Sequence, residues 1–196
     1  MSVIKELKNP MTPKYMELLK VISDPGFPWY NVGRTVSPEN KFVESDLVDK
    51  NVKEFNLLTH PFIERPTHET MFSTPISRYV ELAVRVAGEI LLFNKIYPAV
   101  FYRISVNLVL ENSGKCPKHV DHDFPHQNLL VYLNDFDGGS TLVYDQNDVE
   151  YKSSPKKDLP IVFNGDYMHR HEASSNGKRI ALVATFLELN SNLIPD

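Results

Sequence analysis

The sequence predicts a mainly β fold with flanking helices, on three observations. The segment before about residue 97 contains two amphipathic helical patterns. From Val100 onward the chain turns to short apolar segments broken by Gly, Asn, Asp and Pro, which is typical of a β-sandwich or barrel. The 196 residues, 42% of them hydrophobic, can also bury one core without disulfides. We therefore expect one domain over 1–196, with a supporting part over about 1–97 and a β core over about 98–190.

The first predicted element is a short amphipathic helix. Thr12 is a suitable N-cap, Pro13 occupies the first turn, and the Asp-Pro-Gly sequence at 24–26 ends the pattern. The segments 29–35 and 55–62 are then predicted as strands.

The longest predicted helix covers 76–94. Its apolar stripe consists of Val80, Leu82, Ala83, Val86 and Ala87. We expect this helix to pack against the main β-sheet.

Composition disfavours several classes of function. The net charge is -4, so the chain has no bulk basic field and a nucleic-acid partner is not expected. Cys116 is the only cysteine, so no internal disulfide can form. The N-terminus lacks a signal-peptide pattern, and no segment reaches the length of a membrane span. We therefore expect a cytoplasmic protein without a membrane partner, in an oligomeric state that the sequence leaves open.

Three residues in the second half have the side-chain types of a non-haem iron site. His119 and Asp121 stand two apart, so in a β-strand both point to the same side. His169 follows a short apolar run closed by 164–166, which places it just past another strand. Two imidazoles and one carboxylate on one face of Fe(II) leave the opposite face open. Taken alone, an H-x-D tripeptide is weak evidence, because two solvated loop residues give the same pattern.

Arg179 strengthens the metal-site hypothesis. It opens 179–186, a run that is apolar on both faces and is therefore predicted as a buried strand. A buried guanidinium needs an anion, and its planar fork suits the bidentate contact of a carboxylate. That carboxylate comes either from a bound ligand, which we favour, or from the protein in a structural ion pair.

The motifs around these residues resemble those of a known superfamily. The stretch 119–141 contains H-x-D, Y-L-N and D-G-G-x-T, and it resembles the signature of the 2-oxoglutarate- and Fe(II)-dependent dioxygenases. More narrowly, it is similar to the small prolyl-4-hydroxylase-like members of marine microbes and their phages. The stretches 162–169 and 173–180 resemble the distal half of these proteins, and 27–30 and 103–108 their upstream part. The resemblance implies the double-stranded β-helix, or jelly-roll, fold.

The same resemblance implies a reaction and its cofactors. His119, Asp121 and His169 would bind Fe(II), and Arg179 would bind the far carboxylate of the co-substrate 2-oxoglutarate. The expected reaction couples decarboxylation of 2-oxoglutarate to succinate with O₂-dependent hydroxylation of an amino-acid or peptidyl substrate. Proline is the leading guess for that substrate, and ascorbate is a further candidate cofactor.

The sequence departs from the family pattern beside the arginine. Many members have Ser two residues after it, whereas this chain has Ala181, so the second contact to the carboxylate must come from elsewhere. Thr141 and Tyr102 are the candidates for that hydroxyl, with packing or strand propensity as the alternative role of each. Asn107 lies in an apolar strand and needs a hydrogen-bond partner, which fits a role inside the barrel.

Three more histidines are candidates for the site. His171 lies two residues beyond His169 and can point to the same face, but the family's spacing to Arg179 favours His169 as the metal ligand. We then expect His171 nearer the rim of the barrel, toward the substrate. His122 and His126 are substrate candidates as well, although exposed loop histidines are the commoner case.

Two other functions stay open at this point. A cupin-like metalloenzyme would activate O₂ without 2-oxoglutarate, but it has no use for Arg179 in the barrel. A jelly-roll binding module with a vestigial metal site would have no need of the complete triad. The substrate itself depends on loops such as 38–49 and 64–74, whose conformations the sequence does not give.

Overall fold

The computed structural model describes residues 2–31, 57–66, 72–113 and 116–189, and in these ranges two helices flank antiparallel sheets. The helices are α1 (Pro13–Ser23) and α2 (Val80–Phe93). The strands are β1 (Ile4–Glu6), β2 (Tyr30–Asn31), β3 (Leu57–Glu64), β4 (Thr74–Pro75), β5 (Pro98–Val109), β6 (Gln127–Tyr132), β7 (Asp137–Gly138), β8 (Thr141–Tyr144), β9 (Glu150–Lys152), β10 (Pro160–Asn164), β11 (Met168–His171), β12 (Ser174–Asn176) and β13 (Arg179–Glu188). This mainly β architecture with flanking helices confirms the predicted fold class.

One large sheet dominates the described part of the chain. Its strand order is β1-β10-β6-β13-β5-β3-β2, with β4 paired to β3. A three-stranded sheet of order β11-β8-β9 and the β12-β7 pair complete the β structure in the described ranges. β13 lies between β5 and β6 near the middle of the large sheet, which explains why its sequence is apolar on both faces.

The two faces of the large sheet have different neighbours. The outer face packs against the helices in the main hydrophobic core, as the sequence predicts. Residues of this core include Leu18, Ala83, Val86, Ile90, Ile104, Val106, Leu129, Val131, Leu182 and Ala184. The inner face carries the alternate residues, of which Leu130, Tyr132 and Ala181 pack together with Ile161 of β10.

The first helix forms as predicted. Thr12 is its N-cap, and the Thr12 hydroxyl accepts a hydrogen bond from the backbone N–H of Tyr15 at 3.2 Å. Pro13 occupies the first turn, where a missing N–H has no consequence, and Asp24 is the C-cap.

The second helix begins four residues later than predicted. The backbone N–H of Ile76 donates to the carbonyl of Phe62 in β3, which ties this residue to the sheet. The Ser77 side chain and carbonyl then accept from the N–H groups of Tyr79 and Val80, so 76–79 forms a turn. The buried stripe shifts accordingly, toward Ala83, Val86, Ala87, Ile90 and Leu91.

The predicted strands of the N-terminal part are only partly described. Of 29–35 the structure gives β2, and 32–35 lie outside the described residues. Of 55–62 it gives β3 from Leu57 onward, with 55–56 outside the described residues. The loop 38–49 and part of 64–74 also lie outside them. No helix in the described part of the chain is long and apolar enough to cross a membrane.

Candidate active site

His119 and His169 face each other across an isolated β-bridge. The backbone of each donates to the other, with N–O distances of 3.0 and 2.9 Å. A pair that exchanges both hydrogen bonds presents its side chains on the same side, and the two rings lie 4.6 Å apart between centroids. His119 and His169 therefore converge. The predicted regular strand through His119 and Asp121 is wrong, because His119 lies outside the named strands and a bend follows at Asp121.

Asp121 brings its carboxylate to the two imidazoles. Its Oδ2 lies 3.4 Å from Nε2 of His169, and one candidate ligand atom from each of His119, Asp121 and His169 lies within 4.8 Å of the others. The second oxygen, Oδ1, faces two guanidinium groups: Arg103 Nη1 at 3.1 Å and Arg65 Nη2 at 3.5 Å. One carboxylate oxygen thus points to the histidines while the arginines hold the other.

The tautomers of both rings suit metal binding. Nδ1 of His119 donates to the carbonyl of Pro117 at 2.9 Å, and Nδ1 of His169 donates to the carbonyl of Tyr167 at 3.2 Å. An imidazole with its single proton on Nδ1 presents the Nε2 lone pair. Backbone carbonyls of this kind orient metal-binding histidines.

The charge states also suit a metal. Burial, with a smaller contribution from the neighbouring His169, lowers the pKa of His119 to about 4. Burial alone would raise the pKa of Asp121, but the neighbouring His169 and then the charges of Arg103 and Arg65 hold it well below its usual value. At neutral pH the His119 ring is neutral and the Asp121 carboxyl is ionised, as metal ligands must be.

Arg179 lies on the inner face in the same cavity and is 2% exposed. Its Nε donates to the carbonyl of Gly139 at 2.9 Å, and Nη2 donates to the hydroxyl of Thr141 at 3.1 Å. No carboxylate of the described residues forms an ion pair with it. The structural ion pair considered from the sequence is therefore not found in this part of the chain.

Gly139 explains part of the D-G-G-x-T pattern. Its φ is +64°, a left-handed conformation that favours glycine. A Cβ at this position would lie 2.8 Å from the Phe136 ring and 3.3 Å from Cδ of Arg179. The absence of a side chain therefore lets the Gly139 carbonyl approach the Arg179 guanidinium.

The structure adds two hydroxyls to the Arg179 end that sequence reasoning missed. The Tyr132 hydroxyl lies 3.1 Å from the Thr141 hydroxyl and 2.7 Å from that of Ser153, and the Arg179 guanidinium lies 5.4 Å from the centre of the Tyr132 ring. The Y-L-N motif contained the signal for Tyr132, because the i, i+2 alternation of β6 directs this ring to the inner face. Ser153 follows a short strand and carried no such signal.

Tyr102 is not brought to Arg179. A register shift in the β5–β13 pair, from Thr185↔Arg103 to Phe186↔Phe101, leaves Tyr102 as the extra residue of a bulge. Its ring packs on Phe124, with centroids 4.8 Å apart. Arg179 pairs with Val109, seven residues along β5 from Tyr102, a distance of about 23 Å.

Asn107 lines the cavity, but its amide oxygen is already engaged. Oδ1 accepts from the Thr59 hydroxyl at 2.7 Å and from the Ser105 hydroxyl at 3.4 Å. These contacts join β3 to β5 beside the cavity.

His122 and His126 are buried, so the exposed-loop alternative is wrong for both. Nε2 of His122 lies 2.8 Å from the Thr185 hydroxyl, and Nδ1 of His126 donates to the carbonyl of Phe124 at 2.8 Å. The His126 ring packs on Gly165, where an added Cβ would overlap the ring. Neither imidazole is among the groups that line the cavity of the triad.

His171 lines the cavity at the Arg179 end, which corrects its predicted place near the rim. It pairs with Thr141 across the β8–β11 ladder. Burial lowers its pKa well below the usual value, and the charge of Arg179 lowers it further. The ring is therefore neutral and lies beyond His169 on the Arg179 side.

The cavity thus joins the triad to Arg179 and Thr141. The cavity volume is about 60 Å³, and one water molecule needs roughly 10–15 Å³. Leu130, Phe163 and Val183 supply apolar wall between the polar groups. Its size and lining suit a small polar ligand.

Solved structures show what this chain is similar to. A 2OG-Fe(II) oxygenase family oxidoreductase from Burkholderia pseudomallei matches with a TM-score of 0.62 and 14% identity, over 87% of this chain and 76% of that one. A prolyl hydroxylase from Trichoplax adhaerens, in complex with a hypoxia inducible factor peptide fragment, matches with a TM-score of 0.59 and 11% identity, over 95% and 84%. A Pseudomonas putida prolyl-4-hydroxylase matches with a TM-score of 0.52 and 13% identity, over 94% and 92%.

The chain has the fold of the 2OG-Fe(II) oxygenases. The jelly-roll fold that the sequence resemblance implies is thereby confirmed. No protein-family model matches the chain, and no curated protein matches it. At 11–14% identity the likeness establishes the fold, and the activity has to be argued from the site.

Proposed function

We propose that this chain is a 2-oxoglutarate- and Fe(II)-dependent dioxygenase that hydroxylates an amino-acid or peptidyl substrate. The observation that carries the proposal is the fully buried Arg179, which has no carboxylate partner among the described residues and shares a cavity with His119, Asp121 and His169. A buried guanidinium without an anion is costly, so a ligand carboxylate is its expected partner.

The triad would hold the iron. Nε2 of His119, Nε2 of His169 and Oδ2 of Asp121 supply two neutral nitrogens and one anionic oxygen from one side, the donor set of non-haem Fe(II) oxygenases. The Asp121 oxygen that faces Arg103 and Arg65 is held in place by them. When bound, Fe(II) and 2-oxoglutarate would supply the O₂ chemistry, and the protein supplies position and exclusion of water.

The Arg179 end would bind the far carboxylate of 2-oxoglutarate. Two N–H groups of Arg179 are used on Gly139 and Thr141, and the guanidinium has further donors for a carboxylate. The hydroxyls of Thr141 and Tyr132 lie beside it and take the place of the serine that Ala181 does not provide. The proposed second anchor is therefore this hydroxyl pair.

A peptidyl substrate has support from one structural neighbour. The Trichoplax adhaerens prolyl hydroxylase, whose fold this chain shares, is complexed with a peptide fragment. We propose proline as the residue hydroxylated here, because the proteins that share this fold include prolyl hydroxylases. A cupin-like oxygenase that does without 2-oxoglutarate explains the triad, but it leaves Arg179 without an anion.

Succinate formation tests the proposal. Protein supplied with Fe(II), 2-oxoglutarate, O₂ and a panel of proline-containing peptides should form succinate, and a peptide substrate should gain the mass of one oxygen. Asp121→Ala should abolish both products because it removes the anionic ligand. Asp123→Ala is the matched control, since Asp123 is exposed two residues away. Equal succinate formation by Asp121→Ala would overturn the proposed metal site.

A further inference from the structure

The inner face of the large sheet has two polar ends. β6, β13 and β5 run side by side, so their inner-face residues form rows across the sheet. From the Arg179 end outward the rows are Tyr132–Ala181–Asn107, Leu130–Val183–Ser105 and Asn128–Thr185–Arg103. The largely apolar middle row separates the Arg179 end from the last row, which we call the Asn128 row.

The Asn128 row contains a buried amide without a partner. Asn128 is 2% exposed and lines the cavity of the triad. Neither Oδ1 nor Nδ2 has a hydrogen-bond partner among the described residues. A buried amide with neither atom paired is rare in proteins and unfavourable, so we expect a pairing partner beyond the described residues.

Its neighbours in the row are already engaged. The Thr185 hydroxyl contacts Nε2 of His122 at 2.8 Å, and Arg103 donates to Oδ1 of Asp121 at 3.1 Å. The charged groups at this row are the Arg103 guanidinium, which belongs to the row, and the Arg65 guanidinium, both on the Asp121 carboxylate.

A co-substrate held by Arg179 satisfies at most one atom of Asn128. Arg179 and Thr185 stand six residues apart on β13, and at the rise of a β-strand this is about 20 Å. A five-carbon diacid spans about 5 Å between its terminal carbons, and the side chains of Arg179 and Asn128 cover part of the remaining distance. A carboxylate that reaches Asn128 pairs with Nδ2 only, because it has no donor for Oδ1. The Oδ1 atom is therefore left for a second molecule.

We infer that Asn128 binds an amide group of the substrate, with Oδ1 accepting from the substrate N–H and Nδ2 donating to its carbonyl. The inference rests on the proposed function and names the substrate class. A carboxylate would pair with Nδ2 but leave Oδ1 facing another acceptor. An ammonium would pair with Oδ1 but lie close to the Arg103 and Arg65 charges. A neutral amide satisfies both atoms, so the substrate is peptidyl and not a free amino acid.

The test compares ligands that differ in one hydrogen-bond donor. Uptake of Fe(II) and 2-oxoglutarate is measured first, anaerobically, by the visible band of the chelated keto acid. N-acetyl-L-prolinamide, its methyl ester analogue and free L-proline are then titrated by calorimetry. We expect the amide to bind at least about tenfold more tightly than the ester, the effect of one hydrogen bond to a buried group. Free L-proline should bind more weakly than the amide.

Variants of Asn128 assign the preference to this residue. Asn128→Leu and the isosteric Asn128→Asp should each reduce the amide-to-ester ratio to near one while 2-oxoglutarate binding persists. Asn128→Leu should also raise the melting temperature of the ligand-free protein by a few degrees, because it removes an unpaired buried amide. Asn147→Leu is the control: Asn147 is exposed and does not line the cavity, so the ratio should stay unchanged.

Failure of this inference differs from failure of the proposed function. If 2-oxoglutarate binds but the wild-type protein shows no amide preference, or Asn128→Leu keeps that preference, the inference is overturned and water alone pairs the amide. Tighter binding of free L-proline than of the amide overturns it as well. Absence of the visible band and of 2-oxoglutarate binding would instead refute the proposed function.

Discussion

Replacing Arg179 by methionine should remove most of the affinity for 2-oxoglutarate. The guanidinium is 2% exposed, and Gly139 and Thr141 accept only two of its N–H groups. Removing one partner of a buried, hydrogen-bonded charge pair costs roughly 2–5 kcal/mol. This corresponds to a loss of about 30- to 4,000-fold in affinity. Methionine keeps much of the length of the side chain, so the loss reports the charge and the donors.

Calorimetry and thermal unfolding measure this loss. With 2-oxoglutarate at 100 times Kd, binding stabilises the wild-type protein by about 2.7 kcal/mol and raises its Tm by about 5–10 °C. At the same concentration the rise in Arg179→Met should stay below about 3 °C. Arg85→Met is the control, because Arg85 is exposed on α2 and pairs with Glu89. An unchanged Kd in Arg179→Met would show that the arginine has a structural role only.

Three further predictions concern the metal, the packing and the pH dependence. His169→Ala should abolish Fe(II) retention in folded protein, whereas His171→Ala should retain it; iron stoichiometry with the opposite pattern would refute the assignment. Gly165→Ala should destabilise the protein by about 1–3 kcal/mol in urea unfolding, because the added Cβ would overlap the buried imidazole of His126. Gly88→Ala is the control: its Cβ would meet no atom within 4 Å, so this change in the middle of a helix should stabilise the protein by about 0.5–1 kcal/mol. Equal effects would contradict this packing. Burial lowers the pKa of His60 in the folded protein, so as the pH falls below about 6.5 the unfolded chain takes up a proton that the folded protein does not. The unfolding free energy should therefore be unaffected by His60 above pH 6.5 and decline below it, by up to about 1.4 kcal/mol per pH unit. His60→Gln should flatten the pH dependence of the unfolding free energy, and an unchanged slope would exclude His60 as its source.

The sequence predicted the parts of the fold that depend on local chemistry. α1 follows from the Thr12 cap and Pro13, and β13 from its apolar run. The start of α2 could not be predicted, because the hydrogen bond that ties Ile76 to Phe62 comes from a strand distant in sequence.

The candidate site, too, was predictable from the sequence only in part. The side-chain types of the triad and Arg179 were evident in the sequence, and the structure brings them together in one cavity. The positions of Tyr102 and His171 could not be derived, because a bulge in β5 and the β8–β11 register determine them. Asn128 went unnoticed since an inward amide in an apolar strand looks like any other residue of that strand.

Anaerobic titration with Fe(II) and 2-oxoglutarate tests the central claim most directly. If the triad holds Fe(II) and Arg179 holds the far carboxylate, the protein should develop the weak visible charge-transfer band of a chelated keto acid. Calorimetry should show one 2-oxoglutarate bound per chain. Absence of the band together with absence of 2-oxoglutarate binding would contradict the account and favour a cupin-like oxygenase.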